Sequence, residues 1–135
     1  MSIRGETFSK KERLCSTKAI TELFGNGNIF YSPLFKVVWK KVPSELPSPA
    51  QVMFSVSKKG FRRAVTRNLI KRRLREAYRR NKEQLYNSLQ AEQIQIVFAV
   101  IIRGNSIPEY PIIEKSVIEL ITRLILQVRE KKKIC

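Results

Sequence analysis

The stretch from Lys58 to Arg80, KKGFRRAVTRNLIKRRLREAYRR, concentrates the side chains that could do chemistry. It holds 11 of the chain's 27 Lys and Arg within 23 residues, against one acid, Glu76. Each guanidinium is a planar fork that can grip two oxygens of a phosphate, and each ammonium is a mobile point charge. The chemistry on offer is recognition of a polyanion rather than bond breaking. Apolar residues recur at helical spacing inside the run. On a wheel of 100° per residue, Ile70, Leu74, Ala77, Tyr78 and Leu85 share one side. Asn68, Lys71, Arg72, Arg75 and Arg79 fill an adjacent arc of about 100°. Such a helix buries one stripe and shows a cationic stripe beside it. Lys71 with Arg75, and Arg75 with Arg79, are like-charged i, i+4 pairs, which cost helix stability. Glu76 cannot offset them all, so the stripe calls for an anionic partner.

Composition narrows the chemistry further. A chain of 135 residues is the size of one domain, and 43% hydrophobic residues can sustain a core. A formal net charge of +16 and a pI near 10.4 favour nucleic acid over an acidic protein or a membrane surface. There is no His, and all eleven acids are Glu. This removes His-based general base catalysis, Ser–His–Asp and Cys–His constellations, and His-containing zinc sites. Cys15 and Cys135 lie at opposite ends and form no CxxC, which suits a reducing cytoplasm. Cys15, next to Leu14, reads as a small apolar filler. No apolar run approaches the ~20 residues of a membrane span. The N-terminal MSIRGETFSKKER has no signal-peptide apolar core. We expect a cytoplasmic protein without a membrane partner.

The elements that must position the basic stripe can be laid out in order. Residues 1–12 are polar and are expected to be extended or mobile, as are residues 130–135. A helix is expected from Ser16 to Phe24, capped by Ser16 or Thr17, with Ile20, Leu23 and Phe24 on one side. Gly25-Asn26-Gly27-Asn28 should end it through positive φ. Residues 29–40 read as a strand broken near Pro33, with room for a separate short strand at 28–32. From Phe35, alternation sends Phe35, Val37 and Trp39 one way and Lys36, Val38 and Lys40 the other. After a Pro-rich loop, residues 51–57 read as a strand. Val52, Phe54 and Val56 line one face, and Gln51, Met53, Ser55 and Ser57 the other. Both strands thus have an apolar core face and a mixed open face. The basic helix should start between Arg62 and Thr66 and run to about Leu89. Residues 93–102, QIQIVFAVII, suit a central strand covered on both faces. A last helix is expected over 112–130, buried through Ile113, Val117, Leu120, Ile121, Leu124 and Val128.

The order α-β-β-α-β-α, without regular βαβ repetition, fits a single α+β domain with one sheet and two or three helices. No helix-turn-helix, zinc-finger or zipper pattern surrounds the basic helix, and DNA is not the expected partner. There is no P-loop and no RNP1 sequence. A small-polar open sheet face beside a basic helix gives two distinct surfaces, which suits folded RNA together with a single strand.

SVSKK (Ser55–Lys59) followed by AVTRNLIKRRLREAYR (Ala64–Arg79) resembles the signature of the bacterial ribonuclease P protein subunit. FSKKERL (Phe8–Leu14), the helix ending at Leu23-Phe24 and the Gly after it resemble it too, so the likeness runs from residue 8 to about 128. The resemblance implies a compact α/β sandwich, with one mostly antiparallel sheet of about four strands, three helices and a left-handed βαβ crossover. That arrangement is similar to the second domain of a small-subunit ribosomal protein. It also implies that the catalyst is a partner RNA using Mg²⁺. The reaction implied is endonucleolytic removal of the 5′ leader of precursor tRNA, and the partners are ribonuclease P RNA and precursor tRNA. The RNA-facing motif maps to Lys58, Lys59, Arg67, Asn68, Lys71, Arg72, Arg75 and Arg79. A leader cleft maps to Ile20, Phe24, Lys36, Val38, Ser55 and Ser57. No catalytic or metal-ligating side chain is assigned to the protein.

The chain departs from the family pattern in three places. The Arg-Asn-Arg triplet is Arg67-Asn68-Leu69 here, with Arg72 and Arg73 as substitutes for the lost cation. The link Gly60-Phe61-Arg62-Arg63 is one residue longer than usual. Ile20 and Val38 stand at cleft positions that are often aromatic, which leaves Phe24 as the main stacking candidate. Rival readings are a structural RNA-binding protein such as a ribosomal component, and a nuclease acting without RNA. The second is disfavoured, because Glu alone is a poor basis for nuclease chemistry. A membrane-surface or calmodulin-type helix is disfavoured because Ile70, Leu74 and Ala77 are needed by the core.

Overall fold

The computed structural model describes residues 8–43 and 46–134, the side chains of 131–134 excepted. Four strands form one mixed sheet in the order β1-β2-β4-β3. They are β1 (Asn28–Tyr31), β2 (Phe35–Lys41), β3 (Ala50–Ser55) and β4 (Ile96–Ile102). The β1–β2 and β2–β4 pairs are antiparallel and β3–β4 is parallel. A parallel pair needs a long crossover, and here the basic segment supplies it. The short strand allowed for at 28–32 is β1, set off from β2 by a turn at Pro33. In that turn the Phe35 N–H donates to Ser32 Oγ at 3.1 Å. β4 is central and buried on both faces, as its unbroken apolar run requires.

One face of the sheet is sealed by three helices: α2 (Ala64–Asn81), α3 (Glu83–Glu92) and α4 (Tyr110–Ile134). Phe35, Val37, Trp39, Val52, Phe98 and Val100 meet Ile70, Leu74, Tyr78, Leu85, Ile113 and Leu124 in one continuous core. Trp39 lies on this side, and its indole N–H donates to Gln127 Oε1 at 2.8 Å. The opposite face carries a smaller cluster of Leu14, Leu23, Val38, Val97 and Ala99, covered by α1 (Thr17–Asn26). Ser16 caps α1, accepting the Ala19 N–H at 3.2 Å. The helix ends later than expected, and for another reason. Gly25 and Asn26 remain helical, and Gly27 exits at φ −77°. A Cβ on Gly27 would lie 2.4 Å from the Leu23 carbonyl oxygen and 2.7 Å from the Val38 side chain. Close packing of the helix end on the sheet selects glycine here, not a positive φ.

The helix expected to run on to Leu89 is two helices, which raises the number of α-helices from three to four. Asn81 marks the break: its Nδ2 donates to the Ala77 carbonyl at 2.8 Å and to Glu114 Oε2 at 3.1 Å. Lys82, 2% exposed, turns inward to pair with Glu12, 6% exposed. Tyr86 donates its hydroxyl to the same carboxylate at 2.6 Å. Burial alone would push the Glu12 carboxyl up. Hydrogen bonds from Lys82, Tyr86 and the Ser9 N–H outweigh it, and the carboxyl sits below its ordinary value.

This contact corrects the expectation for the N-terminus. Residues 1–7 lie outside the described residues, but from Phe8 the chain is packed. The Phe8 ring meets Tyr78 edge-on at 5.7 Å. Lys10–Glu12 form a 3₁₀ turn, and Leu14 N–H donates to the Val52 carbonyl at 3.0 Å. The segment thereby covers the free edge of β3, which would otherwise invite strand addition. At the other end α4 continues through residues 130–134 as helix, and Cys135 lies outside the described residues.

Candidate nucleic-acid interface

The basic residues of α2 sort into three groups by what they touch. Arg67 and Arg73 are structural anchors. Arg67 Nη1 donates to the carbonyls of Phe61 at 2.9 Å and Arg62 at 2.8 Å, which fixes the link into the helix. Arg73 Nη1 donates to the Pro108 carbonyl at 2.7 Å and ties down the loop before α4. Arg73 is thus committed inward, and of the two substitutes for the missing triplet cation only Arg72 is exposed. Arg79 is engaged by Glu76 through two hydrogen bonds, at 3.0 and 2.7 Å. The Arg79 hydrogen bond also holds the Glu76 carboxyl below its ordinary value. Arg80 is engaged at the same end of the helix by Tyr110, with Glu114 nearby. Lys71, Arg72 and Arg75 remain. They make no hydrogen bond or ion pair among the described residues, and with exposed Asn68 they form the outer face of α2.

The approach to α2 is built for close packing. Lys58 and Lys59 are exposed in the turn after β3, where the Lys59 N–H donates to Ser57 Oγ at 3.0 Å. A Cβ on Gly60 would stand 2.8 Å from the Gly104 carbonyl oxygen, so this turn presses on the loop after β4. The extra length of the link is accounted for by Phe61, 4% exposed, which plugs into the main core. Arg63 precedes α2 without a side-chain cap, and the first turn holds no acid. Uncapped N–H groups and the positive end of the helix dipole thus lie beside Lys58, Lys59 and Arg62, an arrangement suited to phosphate.

The second surface is the sheet face that α1 covers only in part. Strand register lays its outward residues in rows. Tyr31, Lys36, Ile101 and Ser55 form one row; Ile29, Val38, Ala99 and Met53 the next; Lys40, Val97 and Gln51 a third. Lys36 and Ser55, expected in a common cleft, share a row, and both are partly accessible. Ser57 is exposed just beyond, Ile20 is half-buried against the small apolar cluster of this face, and Phe24 is 45% exposed. Val38 is the exception. It is fully buried under α1, where it packs with Leu23. It forms the floor of the face and cannot touch a bound strand.

An open hollow of about 430 Å³ runs beside α1, lined by Ser16, Lys18, Ala19, Glu22, Lys40 and Gln51 among others. Lys40 and Gln51 were not assigned to the cleft, although strand alternation had placed both on this face. Tyr31 and Arg103 meet at the edge of the sheet. The Arg103 guanidinium lies 5.2 Å from the centre of the Tyr31 ring and donates to the Ser32 carbonyl at 2.8 Å. Among the described residues no group of three His, Cys, Asp or Glu could hold a metal ion. No described helix is long and apolar enough to cross a membrane.

Residues 8–124 match the family model described as Ribonuclease P. The chain belongs to the ribonuclease P protein family. It is 35% identical over 116 residues to the ribonuclease P protein component of Porphyromonas gingivalis, covering 86% of this chain and 85% of that one. It is 33% identical over 129 residues to that of Chlorobium phaeobacteroides, covering 88% and 85%. The ribonuclease P proteins of Thermotoga maritima and Staphylococcus aureus share the fold at 22% identity, with TM-scores of 0.67 and 0.66. The match covers 83% of this chain and 96% of the first, and 84% of this chain and 94% of the second. Family membership makes this chain the protein part of a tRNA-processing endoribonuclease and gives it an RNA partner within the holoenzyme.

Proposed function

We propose that the protein binds ribonuclease P RNA through the outer face of α2 and holds the 5′ leader of precursor tRNA along the open sheet face. The cleavage it assists is RNA-catalysed, with Mg²⁺ held mainly by the RNA partner and the substrate, and it takes place in the cytoplasm. The protein's part is electrostatic and positional. Cations on α2 reduce repulsion between two RNAs, and the open face fixes the leader relative to the scissile bond.

The observation that carries this reading is that Lys71, Arg72 and Arg75 have no hydrogen-bond or ion-pair partner among the described residues. Like charges one turn apart on a rigid helix, with Arg67, Arg73 and Arg79 already engaged, leave a stripe suited to an outside polyanion. Replacing Lys71, Arg72 and Arg75 together by Ala should lower the log–log salt slope of ribonuclease P RNA binding by roughly two to three units. An unchanged slope would take α2 out of the RNA contact. Cleavage of precursor tRNA at low Mg²⁺ should be stimulated only when bacterial ribonuclease P RNA and this protein are both present.

A further inference from the structure

The leader path proposed above rests on α1 and the middle of the sheet, yet two of its expected stacking positions are unsuited to stacking in this chain. Ile20 is aliphatic and half-buried, and Val38 is covered. The accessible aromatic surface of the sheet face lies elsewhere, on the edge strand β1. Tyr31 is 52% exposed and Ile29, two residues before it on the same face, is 50% exposed. Both stand beyond the part of the face that Leu23 closes.

The surroundings of Tyr31 are those of a nucleobase site. Arg103 lies over its ring at 5.2 Å and is itself held by the Ser32 carbonyl, so the pair is fixed by the β1–β2 turn and the end of β4. The Arg103 backbone N–H adds a further tie, donating to the Leu34 carbonyl at 2.9 Å. Lys36 is the direct cross-strand neighbour of Tyr31 on the same face. From behind, Arg123 Nη1 donates to the Tyr31 carbonyl and holds the edge strand in place. An aromatic ring with a guanidinium and an ammonium beside it offers stacking for a base and charge for its phosphate.

Tyr31 also continues the proposed path. It stands in one row with Lys36, Ile101 and Ser55, three interstrand steps or about 14 Å from Ser55. A strand crossing the face from Ser55 past Lys36 therefore arrives at this ring.

We infer that Tyr31, with Arg103 and Lys36, forms a stacking site for an unpaired leader nucleotide on the outer edge of the sheet, beyond the cleft under α1. The inference rests on the leader reading above and adds a specificity-determining position to it.

The test uses the holoenzyme assembled from the full chain and bacterial ribonuclease P RNA. Its affinity is measured for precursor tRNA with a long single-stranded leader and for the same tRNA without one. Tyr31→Ser should weaken binding of the long-leader substrate by about tenfold, the value of one modest base stack. It should leave leaderless tRNA unaffected, and Tyr31→Phe should restore binding. Tyr31 is half exposed on an edge strand, so both variants should keep the wild-type unfolding midpoint. Tyr31→Leu, which keeps apolar area but not a ring face, guards against a loss due to local packing and should behave like the Ser variant. A wild-type holoenzyme that prefers the long leader while Tyr31→Ser binds it equally well would overturn the edge-strand site and leave the leader reading standing. A wild-type holoenzyme indifferent to the leader would overturn both.

Discussion

The two faces of the sheet divide the labour of the molecule. The closed face, under α2, α3 and α4, buries aromatic and branched side chains almost without gaps, and its residues repeat the core pattern of every element that meets there. The face under α1 buries five residues and leaves Ile29, Tyr31, Lys36, Ser55 and Ser57 partly or fully accessible. Helix α2 belongs to both stories, since it seals the closed face with Ile70 and Leu74 and turns Lys71, Arg72 and Arg75 to solvent. On the proposed reading, stability and recognition are carried by different atoms, often on neighbouring residues. Substitutions on the closed face should change folding and leave RNA contacts alone, and substitutions on the open surfaces should do the reverse.

The sharpest test of that division is Leu74→Ala. Leu74 is fully buried between α2 and the sheet. Removing its side chain should cost about 3 kcal/mol of unfolding free energy, read as a lower urea midpoint. The salt slope of RNA binding by the folded fraction should stay at the wild-type value, because the cations proposed to meet phosphate lie on an adjacent side of the helix. A slope that falls with Leu74→Ala would show that packing and recognition on α2 are coupled and would break the comparison.

The ion pair at the α2–α3 break gives a second test, of similar size. Glu12→Gln leaves Lys82 buried without its charge partner, which should cost about 3 kcal/mol at neutral pH. The sign with pH follows from the lowered Glu12 carboxyl. A carboxyl depressed in the folded state stabilises the fold above its unfolded value, about 4.5, and that stability fades as pH falls through the lowered folded value. Wild-type unfolding free energy should therefore drop on acidification below about pH 4.5, with the Gln variant losing less over the same interval. Parallel pH curves for the two proteins would show that Glu12 titrates alike in both states.

How much of this was legible in the sequence depends on how local the cause is. Alternation alone separated Phe35, Val37 and Trp39 from Lys36 and Lys40, because the pleat reverses direction at every residue. The wheel found the buried and cationic sides of α2 for the same reason. Failures came where a distant residue decided the outcome. Lys82 reads as one more solvated cation, and only the fold brings it to Glu12, 70 positions away. That single contact both divides the long helix and packs a segment expected to be mobile. Val38 alternates outward as expected, but periodicity cannot say that α1 lies over it. Arg67, Arg73 and Arg79 look like Lys71, Arg72 and Arg75 in the sequence. Only the carbonyls of Phe61, Arg62 and Pro108, and the carboxylate of Glu76, tell the engaged cations from the others.

The smallest effect separates the two ends of the open face. Phe24 is 45% exposed at the end of α1, and no described core cluster includes it. Truncation there should cost well under 1 kcal/mol of stability, as at most partly exposed sites. If leader bases stack on α1, Phe24→Ala should reduce holoenzyme affinity for long-leader substrate by a few-fold, the low end for one base. Combined with Tyr31→Ser, the two losses should multiply where the two rings stack on different bases and share no partner. A double variant no weaker than Tyr31→Ser alone would mean that the leader reaches the edge strand without touching α1. The partly buried Ile20 and the covered Val38 would then mark a cleft that this chain has moved outward, toward β1.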